Sequence, residues 1–253
     1  FFSAAGFSTT ISALSGITPV VGPLFAGAGV GTYCIGAIEK IAAEKAGIIK
    51  KNGTVLFGGN GEDAARVISA RAAEMGADYR FADKSTLNIL HSDLFGSVFD
   101  YGERKNIEIS LSGLYQPHNA ANVIAAADIL NTKGFSISED ALRKGLLAAR
   151  WQARFEVISK SPLIIFDGAH NPEGIEKAVE SVKYYFGEQK ILVLTGVMKD
   201  KNYRYIAGRL SEIAAAALTV TPDNPRALDA SEYAKVLTKT GIDASAYASV
   251  ADA

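Results

Sequence analysis

Leu163-Ile164-Ile165-Phe166-Asp167-Gly168-Ala169-His170-Asn171-Pro172-Glu173-Gly174 is the stretch on which the fold turns. Its four leading apolar residues predict a buried strand. They give way to Asp167, His170 and Asn171, and Pro172 then opens a helix, because proline at the first helical position gives up an N–H that has no partner there anyway. The helix is expected to reach Phe186, with Ile175, Ala178, Val179 and Val182 on one stripe. In a parallel α/β sheet, ligands bind at the carboxyl ends of strands. Helix N-termini converge there, and their unpaired N–H groups favour phosphate or carboxylate. Asp167 is thus a candidate acceptor from ribose hydroxyls, and His170 a candidate donor to phosphate. On the plainer reading Asn171 caps the helix and Asp167 merely ends the strand. Capping and function are compatible, and three polar side chains at one strand end exceed what a cap needs.

Downstream, the alternation continues. Lys190–Val197 reads as a strand, Tyr203–Ala215 as a helix, Leu218–Thr221 as a strand and Ser231–Thr240 as a helix. Strand and helix joined by short connections predict a parallel sheet with helices on its faces. Upstream the pattern is mixed. Ile38–Gly47 predicts a helix with Ile38, Ile41 and Ala42 on one face, followed by a strand at Thr54–Phe57 and a helix at Glu62–Met75. Ser97–Asp100 and Ile107–Leu111 suggest a hairpin. Pro117–Leu130 is an alanine-rich helix, and Ser138 caps another whose first turn holds Glu139 and Asp140. The change of pattern puts a domain boundary near residue 153.

Composition narrows the function classes. Of 253 residues, 26 are Lys or Arg and 27 are Asp or Glu, so the chain as a whole carries no sign of a nucleic-acid or anionic-membrane partner. One cysteine, Cys34, excludes an internal disulfide and a cysteine-cluster metal site, and three histidines make a poor multi-histidine centre. A cytoplasmic, monomeric protein is expected. Residues 1–38 are peculiar in holding no charged side chain and seven glycines. They lack the basic start of a signal peptide and the unbroken apolar run of a membrane span, and are expected to be buried strand and loop. Gly27, Gly29 and Gly31 invite a phosphate-loop reading, but Thr32 has no lysine before it.

Five collinear segments, and one short element after them, carry a family resemblance. FDGAHNPEG (166–174) resembles the DGAHNP signature of the folylpolyglutamate synthase and dihydrofolate synthase group of the Mur ligase superfamily. IEKIAAEKAGIIK (38–50) is similar to the helix leading into its KAGI motif. LSGLYQPHNAANVIAAADIL (111–130) is similar to its G-x-(H/Y)-Q-x-x-N-A segment, and WQARFEVI (151–158) to its (P)GR-x-E linker. LTGVMKDKNY (194–203) resembles its DKD-type turn, and Pro225-Arg226-Ala227 its later PRA element.

The resemblance implies an α/β fold: a partial Mur-ligase-type central ATPase domain over residues 1–152, its first 37 residues atypical, then a Rossmann-like C-terminal domain with a mostly parallel sheet over 153–253. It implies an ATP- and Mg²⁺-dependent ligase. Such an enzyme phosphorylates a folate or pteroate carboxylate, and the amino group of L-glutamate attacks the acyl phosphate. By the same resemblance Asn119 lies near adenine or ribose, Arg154 on the phosphates, and Asp167 with His170 at the nucleotide. Lys45 aligns with a lysine often carbamylated in the superfamily, where the carbamate helps hold Mg²⁺; otherwise Lys45 is a solvated helix lysine. Asn119 could equally satisfy its own helix turn, and Arg154 an ordinary surface ion pair. The family's P-loop has no counterpart here, Gly29 and Val30 stand where an Asp-His pair is expected, and Asn202 replaces the last acid of the turn near 200. The chain alone is therefore expected to be a poor ligase. A cell-wall precursor ligase and a non-catalytic nucleotide-binding module are the competing readings.

Overall fold

A computed structural model of the chain describes residues 35–59 and 61–253. The expectations for the uncharged stretch before Ile35, and for Cys34, lie outside the described residues. Two compact units are present, each with its own core. The first takes the described residues up to Leu90, with Val98–Ile109 and Pro117–Ala148; the second takes His91–Ser97, Ser110–Gln116 and Ala149–Ala253.

In chain order the first part of the fold runs α1 (Ile35–Ala46), β1 (Thr54–Phe57), α2 (Glu62–Glu74), β2 (Asp78–Phe81), β3 (Asn88–Asp93), β4 (Gly96–Tyr101), β5 (Arg104–Ile109), α3 (Gln116–Thr132) and α4 (Glu139–Ala148). β1 and β2 pair in parallel, Thr54 opposite Asp78 and Phe57 opposite Phe81, and β3, β4 and β5 form a sheet in that order. β1 is buried throughout because α1 and α2 close over it: Ala42, Ala46, Ile49, Val55, Phe57, Ala64, Ile68 and Ala72 form one cluster. The expected apolar face of α1 is corrected at Ile41, which is exposed. The small side chains Ala42 and Ala46, one turn apart, are buried in its place. A second cluster joins Phe99, Ile107 and Ile109 to Ile124, Leu142 and Leu146. Arg104 of β5 ties that cluster's rim together, reaching Asp128 of α3 with two nitrogens (2.7 and 3.0 Å) and Glu139 of α4 with a third (2.8 Å). Such a fork uses the planar geometry that arginine alone offers.

The second unit adds β6 (Glu156–Lys160), β7 (Leu163–Phe166), α5 (Pro172–Phe186), β8 (Ile191–Thr195), α6 (Tyr203–Leu210), β9 (Ala214–Val220), α7 (Ala230–Thr238) and β10 (Asp243–Tyr247). β8, β9 and β10 form a parallel sheet with β9 central. Val179, Ile206, Leu210, Ala217, Tyr233 and Leu237 meet in its core. Gly196, just past β8, is where a side chain has no room: a Cβ there would lie 2.6 Å from the carbonyl oxygen of Val220.

Two further expectations are corrected. The strand Leu163–Phe166 is not buried, with Leu163, Ile164 and Phe166 each 42–50% exposed. Its partner is β6, and the pairing is antiparallel across a turn containing the cis Ser161–Pro162 peptide. The helix expected over 203–215 ends at Leu210, and Ala214–Ala217 are strand. Alanine favours helix in isolation, but pairing on both edges of β9 overrides so weak a preference. Among the described residues no helix is long and apolar enough to cross a membrane.

Candidate functional site

The site grows from a strained turn. Ala153 and Phe155 both adopt left-handed backbone, φ 56° and 50°, with Arg154 between them. For residues with a side chain this costs roughly 1–2 kcal/mol each, so the surroundings must hold the turn. Four interactions do. Ala153 N–H donates to Glu156 Oε2 (2.9 Å), and Gly168 N–H donates to the Ala153 carbonyl (2.9 Å). Phe155 N–H donates to Asp167 Oδ2 (2.8 Å). The Phe155 ring, 1% exposed, packs on Tyr185 with centroids 5.7 Å apart. Glycine at 153 would adopt this backbone without strain but gives up more freedom on folding. Ala153→Gly is therefore expected to stabilise the chain by about 0.5–1 kcal/mol, seen as a rise in melting temperature. A fall would show that the turn is not strained.

Asp167 is the knot of this arrangement. Oδ1 accepts from Ala169 N–H (2.7 Å), and Oδ2 accepts from Phe155 N–H and from the Tyr115 hydroxyl at 3.5 Å. Burial raises its carboxyl above the ordinary range, while the N–H groups of Ala169 and Phe155 and the nearby Arg154 charge pull the other way. Burial also raises the Tyr115 phenol, with the Asp167 charge adding to it. The expectation that Asp167 meets ribose hydroxyls thus finds its two oxygens engaged by main-chain donors. Through the Phe155 N–H the carboxylate fixes the turn that carries Arg154.

His170 follows in the same loop. Its Nδ1 lies 2.7 Å from the Gly168 carbonyl, which can only accept, so Nδ1 carries the proton and Nε2 is the acceptor in the neutral ring. Asn171 caps α5, its Oδ1 accepting from Gly174 N–H at 2.7 Å. Capping therefore does occur, alongside a cluster that exceeds it. Glu173, in the first turn, has a buried Oε2 with no hydrogen-bond partner.

The segment carrying Tyr115 is fixed from below by α5. The Tyr185 hydroxyl accepts from Gly113 N–H (3.2 Å) and bonds Ser92 Oγ (2.9 Å), while Ser181 Oγ accepts from Leu114 N–H (3.2 Å) and donates to the Lys177 carbonyl (2.8 Å). Sequence reasoning named none of Tyr115, Glu173, Ser181 or Tyr185 as site residues. Tyr115 was visible as the aromatic member of the quoted G-x-(H/Y)-Q segment. The others are i, i+4 and i, i+8 neighbours on one helix face, where Lys177, Ser181 and Tyr185 also look like ordinary surface chemistry.

Arg154, Asp167 and His170 are thus brought together in the second unit. Asn119 stands exposed in the first turns of α3, and Lys45 is exposed in the last turn of α1, where the helix dipole favours a cation. In the 200 turn, Asn202 caps α6, accepting from Tyr205 N–H, and Asp200 pairs with Arg226 at 3.2 Å. Among the described residues no three His, Cys, Asp or Glu side chains gather in a way that could hold a metal ion.

Residues 153–253 match the Mur ligase glutamate ligase domain. The folylpolyglutamate synthase of Lacticaseibacillus casei is 36% identical over 86% of this chain and 52% of its own length. The dihydrofolate synthase/folylpolyglutamate synthase of Bacillus subtilis is 36% identical over 75% of the chain and 46% of its own. Among solved structures, E. coli FolC in complex with DHPP and ADP superposes with a TM-score of 0.68 at 27% identity, over 85% of this chain and 49% of that one. The chain therefore spans about half the length of the curated relatives it matches. Shared identity along the chain and the matching fold place it in the folylpolyglutamate synthase family.

Proposed function

We propose that this chain serves the ATP-dependent addition of L-glutamate to folate or dihydropteroate through an acyl phosphate. The observation that carries the reading is the Arg154 turn, held beside His170 and the N-terminus of α5 by the Asp167 carboxylate. Relatives named folylpolyglutamate and dihydrofolate synthase, and one solved with ADP and DHPP, support it.

On this reading each residue has a task. Arg154 offers phosphate oxygens a permanently charged fork. Phosphoryl transfer leaves little covalent chemistry to the protein, so a cation fixed beforehand lowers the barrier by stabilising the charge that shifts. His170, its ring oriented by Gly168, presents Nε2 to accept a proton or, when charged, to donate to a phosphate oxygen. Asn119 retains the adenine or ribose role through the resemblance. ATP of this class travels with Mg²⁺, which neutralises phosphate charge when bound. The described residues do not fit that ion, for they supply no carboxylate and histidine cluster and Lys45 is an ammonium unless carbamylated, so no step is routed through it.

Calorimetry of the full chain with ADP tests the nucleotide half. Saturable binding is expected, weakened at least tenfold by Arg154→Ala, or about 1.4 kcal/mol. Absence of binding, or indifference to the substitution, ends the reading. Glutamate-dependent ADP release with a folate or pteroate, once a P-loop segment is fused or co-expressed, tests the ligase half, and the product's mass separates it from cell-wall chemistry.

A further inference from the structure

A second cluster lies in the first unit, at the carboxyl end of the β1–β2 pair. Gly58 and Gly59 follow β1 and are buried. The Lys84 ammonium, beyond the end of β2, donates to the Gly58 carbonyl. It is half-buried, and among the described residues no carboxylate pairs with it; burial alone pushes it below the usual lysine range. α2 opens at Gly61, whose φ of 124° suits glycine, and no side chain caps its first turn. Finally, the Asn122 amide of α3 lies flat on Gly58, so close that a Cβ on that glycine would sit 2.7 Å from Nδ2. Asn122 is 6% exposed, and its Oδ1 has no hydrogen-bond partner.

These features are independent, and each points to something absent. A half-buried ammonium without a counter-charge favours an anion. An uncapped helix start beyond a strand end in a parallel pair supplies N–H groups for its oxygens. An orphaned buried acceptor calls for a donor. An oxyanion that retains a proton answers all three, since its bare oxygens accept from Lys84 and the α2 N–H groups and its hydroxyl donates to Asn122. Neighbouring acids do not close the site. Asp63 is drawn to Arg66 at 3.5 Å, Asp83 accepts from Ser85 N–H at 2.8 Å, and Glu62 is exposed.

We propose that this strand end is a binding site for a protonated phosphoryl group, held by Lys84, the first-turn N–H groups of α2 and the Asn122 amide. The group is either free orthophosphate, which keeps a proton at neutral pH, or the terminal phosphate of a nucleotide taken up in its protonated form. The site shares no residue with the Arg154 cluster, so either reading can fail without the other.

The experiment is calorimetry of the full chain with inorganic phosphate, and separately with sulfate, at constant ionic strength and neutral pH. Phosphate keeps a proton there and sulfate keeps none. Phosphate is expected to bind saturably and at least fivefold tighter than sulfate. Lys84→Met should weaken phosphate at least tenfold, Lys84→Arg should largely restore it, and Asn122→Ala should erase the preference over sulfate. Melting curves of each variant confirm that it is folded. A parallel titration with ADP assigns the source: a matching loss in Lys84→Met identifies the nucleotide, and no loss identifies free phosphate. Equal binding of the two oxyanions, or phosphate binding unaffected by Lys84→Met, overturns the proposal.

Discussion

Asp167→Asn is expected to destabilise the second unit by about 3 kcal/mol, because two main-chain donors lose a charged acceptor and one of them faces an amide N–H instead. Geometry decides this more than charge does. Both Asp167 oxygens are committed, Oδ1 to Ala169 N–H at 2.7 Å and Oδ2 to Phe155 N–H at 2.8 Å. An asparagine of the same shape has one oxygen and one NH2 group, so either rotamer sets a donor against a donor. A hydrogen bond to a charged group contributes about 1.5–3 kcal/mol, and an orphaned buried donor costs about 1–3 kcal/mol. Phe155 and Ala153 sit in left-handed backbone only while these bonds hold them, so the strain of the turn adds to the loss. Tyr115→Phe is the internal control. It removes a single 3.5 Å contact to the same carboxylate and should cost well under 1 kcal/mol, given how steeply such bonds weaken with distance. Thermal melting of both variants checks the pair, and ADP calorimetry should show at least a tenfold loss for Asp167→Asn as Arg154 loses its fixed place. If the two substitutions cost the same, Asp167 is a spectator.

How much of this could be seen without coordinates varies by element. α5 was readable to the residue, because Pro172, the Asn171 cap and the 3.6-residue stripe of Ile175, Val179 and Val182 all state the same thing. The apolar run Leu163–Phe166 was readable as a strand but not for its exposure, since four consecutive apolar residues look alike on a covered and an uncovered sheet. β2, β6 and β10 gave no periodic signal: Asp243-Ala-Ser-Ala-Tyr247 has neither a bulky alternation nor a β-branched residue, and it is strand because β9 lies beside it. The grouping of Arg154, Asp167 and His170 followed from motif order. The means of grouping did not, because it depends on main-chain N–H groups of Phe155 and Ala169, and any residue supplies one of those. Lys84 and Asn122 were invisible for a similar reason, being 38 residues apart and joined only through the backbone of Gly58.

Glu173 supplies the second large expectation, and its sign runs opposite to that of most carboxylates. Its Oε2 is buried without a partner, and burial pushes its carboxyl up to about 7, with Lys177 drawing it down and Glu176 adding a little upward. A carboxyl held higher in the folded state than in the unfolded chain favours folding in its protonated form. Its contribution is therefore complete below the ordinary glutamate range near pH 4.5, is lost as pH rises through about 7, and stays lost above. Asp93, Asp100 and Glu139, all held below their ordinary values, act in the reverse direction and at lower pH, while Asp167, raised by burial, acts in the same direction as Glu173. Because the side chain is only partly buried, solvent screens much of the effect, and about 1–2 kcal/mol is the reasonable size. Glu173→Gln keeps the shape and removes the titration. The variant should match the parent near pH 4.5 and exceed it by that amount at pH 8. The difference between their urea midpoints, followed against pH, isolates this one group from every other. A difference that stays flat across the interval would mean that the buried oxygen finds a partner in solution and carries no penalty.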